Sequence, residues 1–294
     1  MSLESLIADR PTLNETVADT EPEYVEAELN YIKPQSDKPH NYTYEPPAGI
    51  PRQNTVNEAR RLKIRNGRSL AANLSLDQQG FAFISHRSAV TNFDDETEIR
   101  QIYFPEAEKF LKEVTGASRV LVFDFNLRNA QKLKAGETRF KEPVKRVHND
   151  FTAKSGYRRS RDELVAIGVE NPDEILQHRF NIINVWKPTG HPVQESPLAV
   201  CDARSIKPSD WVASDLIYRD RVGETYLTTY NESHQWFYFP HMQTDEVILI
   251  KCFDSAEDIP ARFTAHTAFE DPTSLPNSIP RASIELRTLV IYEE

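Results

Sequence analysis

The stretch Val147-His148-Asn149-Asp150 is where residue types and spacing best suit chemistry. On a strand, residues two apart face the same way, so His148 and Asp150 can offer an imidazole nitrogen and a carboxylate oxygen to one point. Two such donors form the proximal part of a facial set of two histidines and one carboxylate. That set holds a divalent metal and leaves positions open for a 2-oxo acid and O2. Alone, His-x-Asp arises often by chance, and a strand-edge histidine beside a solvated aspartate is its blander account.

A third ligand has to come from a distant strand, and the downstream histidines are His178, His191, His234, His241 and His266. His266 fits best, because it lies in the strand-like run Arg262-Phe263-Thr264-Ala265-His266-Thr267-Ala268-Phe269 and precedes a proline-rich loop and Arg281-Ala282-Ser283. Alternation places Arg281 and Ser283 on one face, where a guanidinium and a hydroxyl can grip a carboxylate. Arg287 is a rival anchor, but Glu285 stands beside it as an ion-pair partner. His234 and His241 flank Gln235-Trp236-Phe237-Tyr238-Phe239-Pro240 and are expected to pack or to line the pocket. His178 and His191 adjoin a helix end and a turn, where surface roles suffice.

The elements that must position these groups read as strands. Residues 1–57 are rich in turn-formers, as in Tyr44-Glu45-Pro46-Pro47-Ala48-Gly49-Ile50-Pro51, and are expected to form an extended arm with one strand near Leu29 to Ile32. Residues 58–294 are expected to form the main domain. Strands are expected at Phe81 to Ile84, Val120 to Phe125, Val144 to Asp150, Phe180 to Trp186, Leu198 to Asp202 and Glu224 to Tyr230, and then at Trp236 to Phe239, Val247 to Phe253, Arg262 to Ala268 and Ala282 to Tyr292. A helix is expected over Pro105 to Val114, opened by its proline, facing Ala107, Phe110, Leu111 and Val114 inward and ended at Thr115-Gly116. Short strands at this spacing, separated by Pro and Gly turns, indicate a mainly β barrel or jelly roll decorated by helices.

Composition narrows the classes. A 294-residue chain with 39% hydrophobic residues can bury a large core, and a formal charge of −10 argues against wrapping nucleic acid. The cluster Arg158-Arg159-Ser160-Arg161 is short and reads as a solvated helix start. No apolar run is long enough for a membrane span, and Met1 to Thr16 lacks a basic start followed by an apolar run, so the expected location is the cytoplasm. The two cysteines, Cys201 and Cys252, sit in apolar strand-like runs and are expected to be buried free thiols.

Taken together, the stretches Leu76 to Phe81, Thr115-Gly116-Ala117, Val122-Phe123-Asp124 and Val147 to Asp150 resemble the Fe(II)/2-oxoglutarate-dependent oxygenases, in their cephem methoxylase-like and gibberellin desaturase-like branch. So do Asn184 to Pro188, Cys201 to Arg204, Trp236 to Pro240, Lys251 to Ser255, His266 to Phe269 and Arg281 to Arg287. The resemblance covers nearly all of the chain beyond the arm, although the interval from His266 to Arg281 is longer than the family's usual spacing. It implies a double-stranded β-helix, a cupin-like jelly roll. It also implies Fe(II), with 2-oxoglutarate and O2 as co-substrates and succinate and CO2 as co-products.

On that reading Asn184 and Trp186 line the co-substrate pocket, while Tyr157 and Arg158 could border the substrate entrance. No catalytic residue beyond the metal ligands is expected. A small-molecule substrate of natural-product biosynthesis, oxidised by hydroxylation, desaturation or cyclisation, is expected, and a homodimer is one assembly left open. Two other classes compete: a zinc-dependent hydrolase and a non-catalytic β-barrel that binds a small molecule.

Overall fold

The computed structural model describes residues 22–293. The segment Met1 to Thr16 and the first part of the expected arm therefore lie outside the described residues. Among the described residues fifteen strands run in chain order: β1 Tyr24–Ile32, β2 His40–Tyr42, β3 Asn57–Asn66, β4 Phe81–Ser85, β5 Arg119–Asn129, β6 Phe140–Lys141, β7 His148–Asn149 and β8 Arg179–Pro188. They continue as β9 Leu198–Cys201, β10 Trp211–Ile217, β11 Val222–Thr228, β12 Trp236–Tyr238, β13 Glu246–Asp254, β14 His266–Ala268 and β15 Ala282–Tyr292. One sheet has the order β1-β3-β12-β9-β14-β7-β11-β10-β2 and the other β4-β13-β8-β15-β5-β6. The two face each other as a jelly roll.

Each layer follows from the residues it buries. Phe81, Ile182, Trp186, Phe237, Ile248, Ile250 and Leu289 fill the space between the sheets. Ile183, Val185, Leu249 and Leu286, on the opposite faces of their strands, pack against a helix over Phe104–Thr115. That helix opens with proline in its first turn and ends on Gly116 in the left-handed conformation, φ 72°. It buries Ala107 and Leu111, and Phe110 packs against the same core. Val114 was expected to face inward but is exposed in the helix's last turn. Cys201 and Cys252 are buried and free. Among the described residues, no helix is long and apolar enough to cross a membrane.

Two strands expected from apolar runs are shorter than their runs. The strand expected over Val144 to Asp150 shrinks to β7, and that over Arg262 to Ala268 shrinks to β14. In both, side-chain bonds replace the ladder: Asn149 Nδ2 donates to the carbonyls of Phe151 at 2.6 Å and Cys252 at 2.8 Å, and Thr264 Oγ1 donates to the Gly80 carbonyl at 2.9 Å. Conversely, β3 and β10 were not expected; in β3 exposed polar residues mask the period. β3 pairs with β1 along its whole length, from Tyr24 opposite Arg65 to Ile32 opposite Asn57.

Two close approaches test this packing. Gly80 has φ +86°, and a Cβ there would lie 2.0 Å from Thr264 Oγ1. Gly80→Ala is therefore expected to lower the unfolding free energy by about 2 to 3 kcal/mol, read by urea denaturation, and a neutral effect would remove Gly80 as the support of the β14 approach.

Lys187 is 1% exposed, and its Nζ reaches the His86 carbonyl at 3.4 Å beside the Phe93 and Tyr103 rings. Burial pushes the ammonium down to about 8, against Glu106 and Asp245, which pull it up. Because the folded value lies below the unfolded 10.5, the lysine's contribution to stability rises with pH between about 8 and 10.5. Lys187→Met is thus expected to be more stable at pH 7 by up to about 3 kcal/mol. That advantage should shrink toward pH 10.5 in paired urea titrations, and a pH-independent difference would contradict the argument.

Candidate active site

The site begins with one rung of one sheet. β7 lies between β11 and β14, and His266 stands directly opposite His148 across the β14–β7 pair. Their rings are 4.4 Å apart, centroid to centroid. Asp150 follows β7 by one residue, with Oδ1 3.7 Å from His148 Nε2. One ligand atom from each of His148, Asp150 and His266 lies within 4.8 Å of the others.

Both imidazoles are oriented by the backbone. His148 Nδ1 contacts the Arg146 carbonyl at 2.7 Å, and His266 Nδ1 contacts the Thr264 carbonyl at 3.3 Å. A carbonyl can only accept, so each Nδ1 carries the proton and each Nε2 presents its lone pair. Burial, and then the neighbouring His266, pushes His148 down to about 3, which keeps that ring neutral and ready to ligate. Two neutral imidazole nitrogens and a carboxylate converging from one side fit Fe(II) with its remaining positions open.

The carboxylate is held by a cross-strand pair, since Arg287 of β15 stands opposite Asn184 of β8. Asn184 Nδ2 donates to Asp150 Oδ2 at 2.9 Å, and Arg287 reaches the same oxygen at 3.0 and 3.1 Å. Oδ1 is left for a metal. Burial pushes the Asp150 carboxyl up, but Arg287 foremost, with both histidines and Asn184, overcomes it and holds the group well below the usual carboxylate range. Arg287 also contacts Asp124 at 3.2 Å and Glu285 at 3.7 Å. One guanidinium thus answers three carboxylates.

Arg281 has no such partners. It is 2% exposed and lines a narrow cavity with His148, His266, Trp186, Arg128 and Glu285. Its Nη1 donates to the Ser196 carbonyl at 2.5 Å, and the guanidinium lies 5.3 Å from the centre of the Trp186 ring. Its Nε and the hydroxyl of buried Ser283 have no hydrogen-bond partner among the described residues. Burial, and then Arg128, pushes Arg281 down to about 9. A buried cation beside an orphaned donor is costly until an anion arrives, and a dicarboxylate such as 2-oxoglutarate fits that need.

Of the residues singled out from sequence, the structure gathers His148, Asp150, His266, Asn184, Trp186 and Arg281 around one point, with Ser283 beside Arg281 on the same strand face. Trp186 lines the cavity, whereas Asn184 serves the Asp150 carboxylate. Tyr157 packs edge-on against Phe180 and Phe253 at 5.1 and 5.2 Å, and Arg158 lines a separate cleft with Lys38 and Glu224.

His234 is consumed elsewhere. It contacts Tyr31 Oη at 3.0 Å and Asp210 at 3.1 Å, while the Trp236 indole donates to Tyr31 Oη at 2.8 Å. His241 and His178 are exposed, and His191 contacts the Pro192 carbonyl at 2.8 Å. Arg128 went unnoticed in the sequence. Its signal was the alternation Asp124, Asn126, Arg128, which carries a polar face beyond the apolar run.

Comparison with known proteins agrees with this geometry. A family model described as an oxidoreductase/YMDC permease-like domain matches residues 29–291. A hydroxylase/desaturase of Cercospora beticola is 32% identical over 293 residues, covering 92% of this chain and 88% of that protein. An alpha-ketoglutarate-dependent dioxygenase of a fungal species (strain ATCC 74256) is 30% identical over 285 residues, covering 91% and 96%. The solved structure of an iron and alpha-ketoglutarate-dependent endoperoxidase superposes with a TM-score of 0.82 at 26% identity, covering 92% of this chain and 99% of that one. Alpha-ketoglutarate is 2-oxoglutarate, and the chain belongs to the Fe(II)/2-oxoglutarate-dependent oxygenase family.

Proposed function

We propose that the protein oxidises a C–H bond of a small molecule in natural-product biosynthesis, with iron on His148, Asp150 and His266 and 2-oxoglutarate anchored by Arg281 and Ser283. One observation carries this reading: of a converging set of three candidate ligands, His148 and His266 line the same cavity as a buried arginine that has no carboxylate of its own. When bound, Fe(II) with 2-oxoglutarate and O2 supplies an oxidant able to take hydrogen from an unactivated C–H bond, with succinate and CO2 as co-products.

The chain's residues do the positioning. Asn184 and Arg287 fix which carboxylate oxygen faces the metal, the Arg146 and Thr264 carbonyls fix both imidazoles, and Trp186 walls the anchor from water. The acidic balance supports a small molecule over nucleic acid as substrate. A zinc hydrolase would have no use for the Arg281 and Ser283 pair.

His148→Ala, Asp150→Ala and His266→Ala are each expected to abolish the weak charge-transfer band of the anaerobic Fe(II)/2-oxoglutarate complex, while His234→Ala and His241→Ala keep it. Iron binding that survives His266→Ala but not His234→Ala would remove His266 as third ligand. Absence of metal-dependent 2-oxoglutarate turnover in the wild type would instead favour the hydrolase.

Arg281→Leu is expected to weaken 2-oxoglutarate binding by at least about tenfold, from loss of a charge-assisted pair worth roughly 1.5 to 3 kcal/mol, with iron affinity little changed. Arg287→Leu leaves Asp150, Asp124 and Glu285 uncompensated, so it should lower the stability of the metal-free protein by about 3 kcal/mol or more and move 2-oxoglutarate affinity far less. Titration of both variants on that band decides between them, and the opposite ranking would transfer the anchor to Arg287.

A further inference from the structure

We propose that Arg128 is a second anchor for the distal carboxylate of 2-oxoglutarate, working with Arg281 across the β5–β15 strand pair; the proposal rests on the co-substrate reading above.

The pairing of β5 with β15 sets three inward rungs: Asp124 opposite Arg287, Asn126 opposite Glu285, and Arg128 opposite Ser283. On the first rung the charges answer each other at 3.2 Å. On the second, Asn126 accepts from Lys141 Nζ at 2.5 Å, and Glu285 reaches back toward Arg287. The third rung has no acid. Arg128 Nη1 donates to the Glu142 carbonyl at 2.7 Å, and no carboxylate pairs with this guanidinium among the described residues.

Arg128 and Arg281 line the same narrow cavity. They also repel one another, since Arg128 is the largest charge contribution holding Arg281 down, while Glu285 and Glu195 pull it up. Two guanidiniums facing one cavity whose one carboxylate, Glu285, reaches instead toward Arg287, beside an orphaned serine hydroxyl, make a cradle for a carboxylate.

The register indicates which carboxylate. Arg287 marks the metal end, because it holds the Asp150 ligand. Same-face residues on a strand are about 6 to 7 Å apart, so the Ser283 rung lies two such steps from Arg287 and one from Arg281. Arg128 therefore sits at the distal anchor's end of the co-substrate and not at the keto-acid end.

The test titrates the anaerobic Fe(II) enzyme with two acids, following the charge-transfer band: 2-oxoglutarate, and 2-oxopentanoate, which has the same keto-acid head and no distal carboxylate. Arg128→Gln keeps a donor for the Glu142 carbonyl, and Arg128→Lys keeps the charge, so neither depends on a vacated site for folding. Arg128→Gln should lose about fivefold or more in affinity for 2-oxoglutarate and stay within twofold of wild type for 2-oxopentanoate, and Arg128→Lys should recover most of the loss. Unchanged 2-oxoglutarate affinity in folded Arg128→Gln overturns the assignment. An equal loss with both acids also overturns it, since it would place Arg128 at the keto-acid head. A wild-type enzyme that gives no band with either acid fails the co-substrate reading itself, whereas a normal wild-type band with an unaffected Arg128→Gln fails this proposal alone.

Discussion

Charge placed out of reach of water must find a partner, and the site is arranged around that constraint. Asp150 ionises inside the barrel because Arg287 and Asn184 hold its carboxylate. Arg287 is fixed in turn by Asp124, Glu285 and Asp150 together. This cluster closes on itself. Arg281 and Arg128 stay outside it, their hydrogen bonds going to the Ser196 and Glu142 carbonyls. Had Arg287 been the free one, the carboxylate ligand would have lost the partner that keeps it ionised.

Strand pairing turns this electrostatic demand into geometry. His148 and His266 meet because β7 and β14 share a rung, and Asn184 meets Arg287 because β8 and β15 do. Asn149, between the two ligands of the His-x-Asp stretch, points the other way and donates to the Cys252 carbonyl in the facing sheet. One tripeptide thus presents two candidate metal ligands on one side and fastens the two sheets together on the other. Gly80 lets Thr264 approach closely, and the Thr264 carbonyl then sets the His266 ring.

The remaining histidines show how little a residue type says without its surroundings. Asp210, His234 and Tyr31 form a buried hydrogen-bonded series that looks catalytic on paper. The Trp236 indole donates to Tyr31 at the far end, so the phenol spends its own proton on the His234 ring, and His234 Nε2 donates to Asp210. Each partner's hydrogen bonding is met within the series, and its work is to pin β1 to β12.

Much of this protein was readable before its fold was known, because the relevant signals are local. A period of two put His148 and Asp150 on one side, and an opening proline and closing glycine bounded the helix at Phe104–Thr115. Alternation set Arg281 with Ser283, and the mainly β character followed from the spacing of apolar runs. The acidic neighbour Glu285 was already a reason to count Arg287 as ion-paired.

Register was out of reach, because it depends on which residues of distant strands share a rung. Only the folded sheets decided that Asn184 donates to Asp150, that Arg287 grips the same carboxylate, and that Arg128 lies opposite Ser283. β3 escaped notice for the same reason: its exposed charged residues carry no apolar period, and pairing with β1 along its length and with β12 at its end makes it a strand.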